Sequence, residues 1–147
     1  MKILVTLPRD RRLAGHLFVV DDAGEVALAV DARGKADNAR AAKAGNPSRD
    51  PTRPYGDTPS GAYAPTRLVV FAPPHPRLGR AWFPIEGGGG DALQARLNGR
   101  TGLGIHGGRG DGALVATYGC VRLRDRDMKR VAELALGRTV EVEVRDL

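Results

Sequence analysis

Short apolar runs, each ended within a few residues by glycine or proline, are the feature that most limits what this chain can fold into. Residues 2–7 and 139–144 alternate apolar and polar side chains, as strands with one buried face do. The 20 glycines and 10 prolines interrupt most longer segments, and proline removes a backbone donor that a helix needs. The pattern predicts a mainly β protein rather than a helical bundle.

Further strands follow from the same pattern. Residues 16–20 and 25–30 flank a turn that ends in Gly24, which indicates a β-hairpin. We expect additional strands at 62–64, 66–71, 80–85 and 103–106. Residues 73–76, which read Pro-Pro-His-Pro, are predicted to form a rigid loop that exposes His75.

Two short helices complete the predicted fold. One spans residues 91–97 with Asp91 as its N-cap, and the other runs from the N-cap Asp125 to about residue 136, before Gly137. Residues 38–43 are predicted to form a single helical turn within an irregular segment. At 147 residues the chain is expected to form one domain over residues 1–147.

Charge and composition narrow the range of partners. The net charge is +6, which favours polyanionic partners such as nucleic acid, anionic lipid or a cell-wall polymer. The basic residues are scattered and aromatic residues make up only 5%, so we expect no nucleic-acid partner.

No apolar run approaches the roughly 20 residues of a membrane span. One cysteine and three scattered histidines show no metal-ligand spacing, so no metal or other cofactor is expected.

Cys120 is the only cysteine and therefore cannot form an internal disulfide. It could be a buried apolar residue, a metal ligand or a nucleophile. A free thiol with a pKa of about 8.5 needs a base, and a nearby imidazole can lower that pKa to about 3.5–7.5. His106 is the only histidine close in sequence, and the N–H groups of Tyr118, Gly119 and Cys120 could converge on an oxyanion. These residues alone leave the apolar and nucleophilic roles both open.

The segment around Cys120 carries a resemblance to a known family. His106-Gly107, a glycine-rich loop and then residues 117–123 (Thr-Tyr-Gly-Cys-Val-Arg-Leu) resemble the signature of the L,D-transpeptidases of the YkuD family. Tyr118 stands where the commonest form of the signature has a second histidine. The ten residues between His106 and Thr117 also make a shorter loop than usual. Residues 58–61 (Thr-Pro-Ser-Gly) resemble an element that precedes a core strand in this family.

The resemblance implies two packed mixed β-sheets with one or two short helices. It also implies an activity on peptidoglycan tetrapeptide stems. Cys120 would attack the carbonyl after the L-centre of diaminopimelate, so that D-alanine leaves and a thioester remains. The amine of another stem would then form a 3→3 crosslink, whereas water would give carboxypeptidase activity.

The resemblance further implies roles for individual residues. His106 would act as the base, and the carbonyl of Gly107 would orient its imidazole. Arg122 would pair with a substrate carboxylate, the alternative being a solvated charge at a strand end. The implied oxyanion hole comprises Tyr118, Gly119 and Cys120, and the implied substrate-binding residues are Gly108, Thr117, Tyr118 and Arg122.

Two other functions remain open for such a domain. It could be a peptidoglycan-targeting toxin that a secretion machine delivers, with an immunity protein as its partner, or a non-catalytic wall-binding module. The presence of both His106 and Cys120 disfavours the binding module. The apolar run after Met1 is too short for a signal-peptide core, so we expect the chain to start in the cytoplasm. The resemblance implies action in the periplasm or cell wall, and the sequence does not indicate the export route.

Overall fold

Nine strands and three short helices make up the protein in a computed structural model that describes residues 1–147. The strands are β1 (Lys2–Leu7), β2 (Gly15–Val20), β3 (Val26–Ala32), β4 (Gly61–Arg67), β5 (Val69–His75), β6 (Gly79–Pro84), β7 (Gly104–His106), β8 (Val121–Arg122) and β9 (Thr139–Asp146). The helices are α1 (Asn38–Lys43), α2 (Gly90–Leu97) and α3 (Asp125–Ala135). None of the three helices has the length and apolar character that crossing a membrane requires.

The strands form two mixed sheets, which confirms the predicted fold class. The five-stranded sheet has the order β3-β2-β1-β9-β4, and in it only β1 and β9 run parallel. The four-stranded sheet has the order β5-β6-β7-β8, and in it only β7 and β8 run parallel. The predicted hairpin is the antiparallel pair of β2 and β3.

The core lies between the sheets and takes one face of each alternating strand. From β1 it receives Ile3, Val5 and Leu7, and from β9 it receives Val140, Val142 and Val144. In the other sheet Phe83 and Ile105 are completely buried. Helix α3 adds Met128, Val131 and Ala135 at helical spacing, so its apolar stripe covers the same cluster.

One predicted loop is a strand. Residues 73–76 were expected to form a rigid loop, yet β5 continues through Pro73 and Pro74 to His75. Strand β5 lies at the edge of its sheet, where a missing proline N–H leaves no partner unsatisfied. His75 is exposed, as the sequence predicts.

The helix ends also differ from the prediction. The helical turn expected at 38–43 is a third helix, α1, and Asp37 caps it by accepting a hydrogen bond from the N–H of Arg40. The N-cap of α2 is Gly89 rather than Asp91, which lies within the first turn. The N-cap of α3 is Arg124, and Asp125 lies one residue inside the helix.

Candidate active site

The structure brings most of the predicted site residues to one cleft. A cavity of about 750 Å³ is lined by His106, Thr117, Tyr118, Cys120 and Arg122, among other residues. Strand β7 ends at His106 and β8 follows directly after Cys120. The two sequence segments of the signature therefore meet because their strands are neighbours in the four-stranded sheet.

The register of β7 and β8 brings the histidine segment beside the cysteine segment. The parallel pairing sets Ile105 opposite Val121 and His106 opposite Arg122, so His106 and Arg122 share a face of the sheet. Cys120 directly precedes β8, and its side chain lines the same cleft as those of His106 and Arg122.

His106 is held in one orientation and is neutral. Its side chain is buried, and Nδ1 lies 2.7 Å from the carbonyl oxygen of Gly107. Burial lowers the pKa of His106 to about 4, with a smaller contribution from the positive charge of Arg122. At neutral pH the single proton therefore resides on Nδ1, where it is donated to Gly107, and Nε2 presents a lone pair.

Cys120 is also uncharged at rest. Burial raises the pKa of its thiol, against opposing contributions from a backbone hydrogen bond of Gly104 and the charges of Arg100 and Arg122. The thiol lies 3.7 Å from the carbonyl oxygen of Gly102. The lowered thiol pKa that a neighbouring imidazole can produce is not what the structure indicates, because desolvation disfavours both charged forms of the pair.

One member of the expected oxyanion hole has another partner. The N–H of Gly119 donates to Oγ1 of Thr117 at 2.9 Å. The N–H groups of Tyr118 and Cys120 donate to no acceptor in the protein. The predicted oxyanion hole stays a prediction, with two of its three donors free and the N–H of Gly119 engaged within the turn.

Thr117 holds the turn that carries the candidate nucleophile. Its hydroxyl accepts the hydrogen bond from Gly119 and donates to the carbonyl of Cys120 at 2.9 Å. The single proton of the hydroxyl and one of its two lone pairs are therefore used within this turn. Thr117 also lines the cleft, and its substrate-binding role stays a prediction.

Arg100 is a residue of the site that the sequence did not reveal. It is buried, and its guanidinium donates to the carbonyls of Pro51, Gly56 and Asp57 at 2.6, 2.5 and 2.8 Å. A fourth carbonyl, that of Tyr118, lies 3.5 Å away. An arginine in a loop after α2 has no local sequence signal for such a position, because all its partners come from distant segments.

The close approach of Arg100 explains why glycine precedes the nucleophile. Gly119 has a φ of +109°, and a Cβ built there would lie 1.8 Å from Nη2 of Arg100. The carbonyl of Gly119 accepts a 2.6 Å hydrogen bond from the hydroxyl of Thr58. Thr58 begins the Thr-Pro-Ser-Gly element, so that element contacts the nucleophile loop directly.

Arg122 is buried beside the histidine. Its Nη1 donates to the same carbonyl of Gly107 that holds His106, while its Nε is buried without a partner. The alternative of a solvated strand-end charge is therefore wrong. Arg122 lines the cleft, and its expected pairing with a substrate carboxylate stays a prediction.

The glycine loop after His106 is tied to the start of α3. The carboxylate of Asp125 accepts the N–H groups of Gly108 and Gly110, and the carboxylate of Asp111 accepts the N–H of Arg126 at 2.8 Å. The N–H of Gly108 is consequently engaged within the protein, and the substrate-binding role of Gly108 stays a prediction. Asp125, expected to be an N-cap, instead fixes the loop whose first carbonyl orients the imidazole.

Tyr118 lies at the mouth of the cleft with 47% of its surface exposed. Its ring makes an edge-on contact with Tyr55, with 5.9 Å between the ring centroids.

Nowhere in the protein do three or more histidine, cysteine, aspartate or glutamate side chains form a group that could hold a metal ion.

Comparison with known proteins assigns the fold and the domain type. A family model for the L,D-transpeptidase catalytic domain, YkuD, matches residues 15–144. No curated protein matches the sequence.

Two solved structures are similar to this chain. The helical cell shape determining protein Pgp2 from Campylobacter jejuni, solved as a point mutant, aligns with a TM-score of 0.62 and 20% identity over 99% of this chain and 47% of its own. Bd1075 from Bdellovibrio bacteriovorus aligns with a TM-score of 0.59 and 16% identity over 99% of this chain and 48% of its own. The chain thus spans about half the length of these proteins, and at such identities the likeness shows a common fold.

Proposed function

This chain belongs to the L,D-transpeptidase catalytic domain (YkuD) family, and from that premise we propose that it is a cysteine-dependent L,D-transpeptidase of peptidoglycan stem peptides. One observation carries the proposal. The Nδ1–H of His106 is bound by the carbonyl of Gly107, which leaves Nε2 free to take the proton of Cys120 in the same cleft. The cell-shape role in the name of Pgp2 agrees with such a function in the cell wall.

The first step is attack on the stem. Sγ of Cys120 forms a bond to the carbonyl carbon after the L-centre of diaminopimelate, while Nε2 of His106 takes the thiol proton. The carbonyl π electrons move to oxygen. The resulting oxyanion receives hydrogen bonds from the N–H groups of Tyr118 and Cys120, the two donors in this turn that have no other acceptor.

The second step expels the leaving amine. The tetrahedral intermediate re-forms its carbonyl, the bond to D-alanine breaks, and the departing nitrogen takes the proton from His106. A thioester on Cys120 remains. The side-chain amine of another stem then attacks the thioester, gives its proton to His106, and Cys120 leaves as a thiolate that recovers that proton. Water in place of the amine gives the carboxypeptidase reaction.

The electrostatics of the site favour proton transfer during the attack rather than before it. Both His106 and the Cys120 thiol are neutral at rest because burial disfavours their charged forms. The positive charges of Arg100 and Arg122 oppose this effect at the sulfur and stabilise negative charge as it develops there. We therefore expect deprotonation to be coupled to the formation of the carbon–sulfur bond.

Mass spectrometry of tetrapeptide stems incubated with the protein tests the proposal. We expect loss of D-alanine and, with a second stem present, a crosslinked product. Cys120→Ala and His106→Ala should fold and show no turnover, whereas His16→Ala, which changes an exposed histidine on the other sheet, should keep wild-type activity. Turnover by Cys120→Ala at the wild-type rate would rule out the covalent mechanism.

A further inference from the structure

The cleft carries positive charge that the protein does not neutralise. Asp37 is the only acidic residue in its wall, and its carboxylate caps α1. Eight arginines elsewhere in the protein form ion pairs. The cleft wall contains five arginines, none of which forms an ion pair: Arg40, Arg77, Arg100, Arg109 and Arg122. A cleft of one charge sign attracts a ligand of the opposite sign.

Three of these arginines have free donors, and two of the three contact aromatic rings. The side chains of Arg40, Arg77 and Arg109 make no hydrogen bond within the protein, whereas Arg100 and Arg122 donate to backbone carbonyls. The guanidinium carbon of Arg40 lies 4.0 Å from the ring centroid of Tyr55. Arg40 and Arg77 lie 5.9 and 5.8 Å from the ring centroid of Tyr118.

Stacking on an aromatic ring orders a guanidinium without using its N–H groups. Cation–π contact engages the face of the cation and leaves the in-plane donors available for a ligand. The planar fork of arginine matches a carboxylate, which can accept two parallel hydrogen bonds. Arg40, Arg77 and Cys120 line the same cleft, so a ligand that reaches the thiol also passes this pair of cations.

We propose that Arg40 and Arg77, ordered by Tyr55 and Tyr118, form a carboxylate-binding site at the mouth of the cleft. This inference rests on the proposed function: the site binds stem peptides that have free carboxylates outside the scissile bond more tightly than stems in which those carboxylates are amidated. An amide is uncharged and cannot accept both hydrogen bonds of the guanidinium fork. Amidation would thus remove the ligand of the site while leaving the scissile bond unchanged.

Calorimetric titration of the inert Cys120→Ala protein measures this selection without turnover. The probes are a synthetic tetrapeptide stem with free side carboxylates and the same stem with those carboxylates amidated. We expect the free acid to bind about tenfold more tightly. Arg40→Gln or Arg77→Gln should each weaken its binding about threefold to fivefold, and the double variant about tenfold, because these cations are partly exposed.

The double variant should lose most of the preference for the free acid, because only Arg109 and Arg122 then remain to attract a carboxylate in the cleft. A matched control is Arg9→Gln with Lys129→Gln, which removes the same charge from exposed side chains that have no partner. This control should keep the preference for the free acid. If Cys120→Ala does not fold, Cys120→Ser serves as the inert background.

The outcomes separate this site from the proposed function. Equal binding of the two stems by the Cys120→Ala protein, or an unchanged preference in the double variant, would overturn the carboxylate site even if the wild type is an active transpeptidase. A preference that depends on Arg40 and Arg77 would establish the site even if the wild type processes neither stem. Absence of binding to either stem overturns it as well.

Discussion

Replacing Thr117 by valine tests how the nucleophile loop is held. Thr117 is buried, and its hydroxyl is the acceptor for the N–H of Gly119 and the donor to the carbonyl of Cys120, both at 2.9 Å. Valine has nearly the same shape but no oxygen. Both backbone groups would therefore lose their partner in a region with little access to water.

The magnitude follows from these two contacts. A hydrogen bond contributes about 1 kcal/mol net, and a buried polar group left without a partner costs about 1–3 kcal/mol. Allowing for some relaxation of the loop, we expect Thr117→Val to reduce the free energy of unfolding by about 2–4 kcal/mol. Thr117→Ser keeps the oxygen and removes one methyl group, which should cost only about 1 kcal/mol.

Urea denaturation of the two variants and the wild type measures the difference. The dependence of unfolding free energy on urea should be unchanged, so that the shift in midpoint reports stability. We also expect Thr117→Val to reduce turnover, since the free N–H groups of Tyr118 and Cys120 are in the same turn. Equal stability of Thr117→Val and Thr117→Ser would show that the hydroxyl does not hold this loop.

Four other perturbations probe the site. The imidazole of His106 has a pKa near 6.5 in the unfolded chain and about 4 in the folded protein. The unfolded chain therefore binds the proton first as pH falls, and the free energy of unfolding should drop by about 3 kcal/mol between these two values. Urea denaturation of His106→Gln should not show this drop. Arg100→Met should raise the pKa of the Cys120 thiol and Arg100→Lys should raise it less; an alkylation pH profile that matches the wild type would refute this. A carbapenem should slowly add one drug-sized mass to the wild type in intact-protein mass spectrometry, strongly slowed in His106→Ala, while an equal adduct on Cys120→Ala would exclude Cys120 as its site. Tyr118→His should retain part of the stem-processing activity, and complete loss with normal folding would reveal a specific role for the tyrosine.

The strand pattern was predictable because it is a local property. Alternation in residues 2–7 and 139–144 records which face of each strand is buried, and β1 and β9 bury those faces. The loop predicted at 73–76 was wrong because proline is incompatible with an interior strand but is tolerated in an edge strand. Whether a strand lies at an edge depends on the order of the sheet, which the local sequence does not contain.

The identity of the candidate nucleophile and base was also a property of the sequence. His106 and Cys120 are the only histidine and cysteine of the Gly104–Leu123 segment, and the signature around them places the chain in its family. Their charge states were not predictable. Each depends on desolvation by surrounding segments, which raises the pKa of the thiol and lowers that of the imidazole.

Only the tertiary structure decided which polar groups in the site are free. The N–H of Gly119 is used and those of its two neighbours are not, although all three belong to one turn. Arg40 and Arg77 come from α1 and the turn between β5 and β6, and they meet Tyr118 only after folding. A sequence lists the donors and cations of a chain, but packing determines which of them find partners inside the protein and which remain for a ligand.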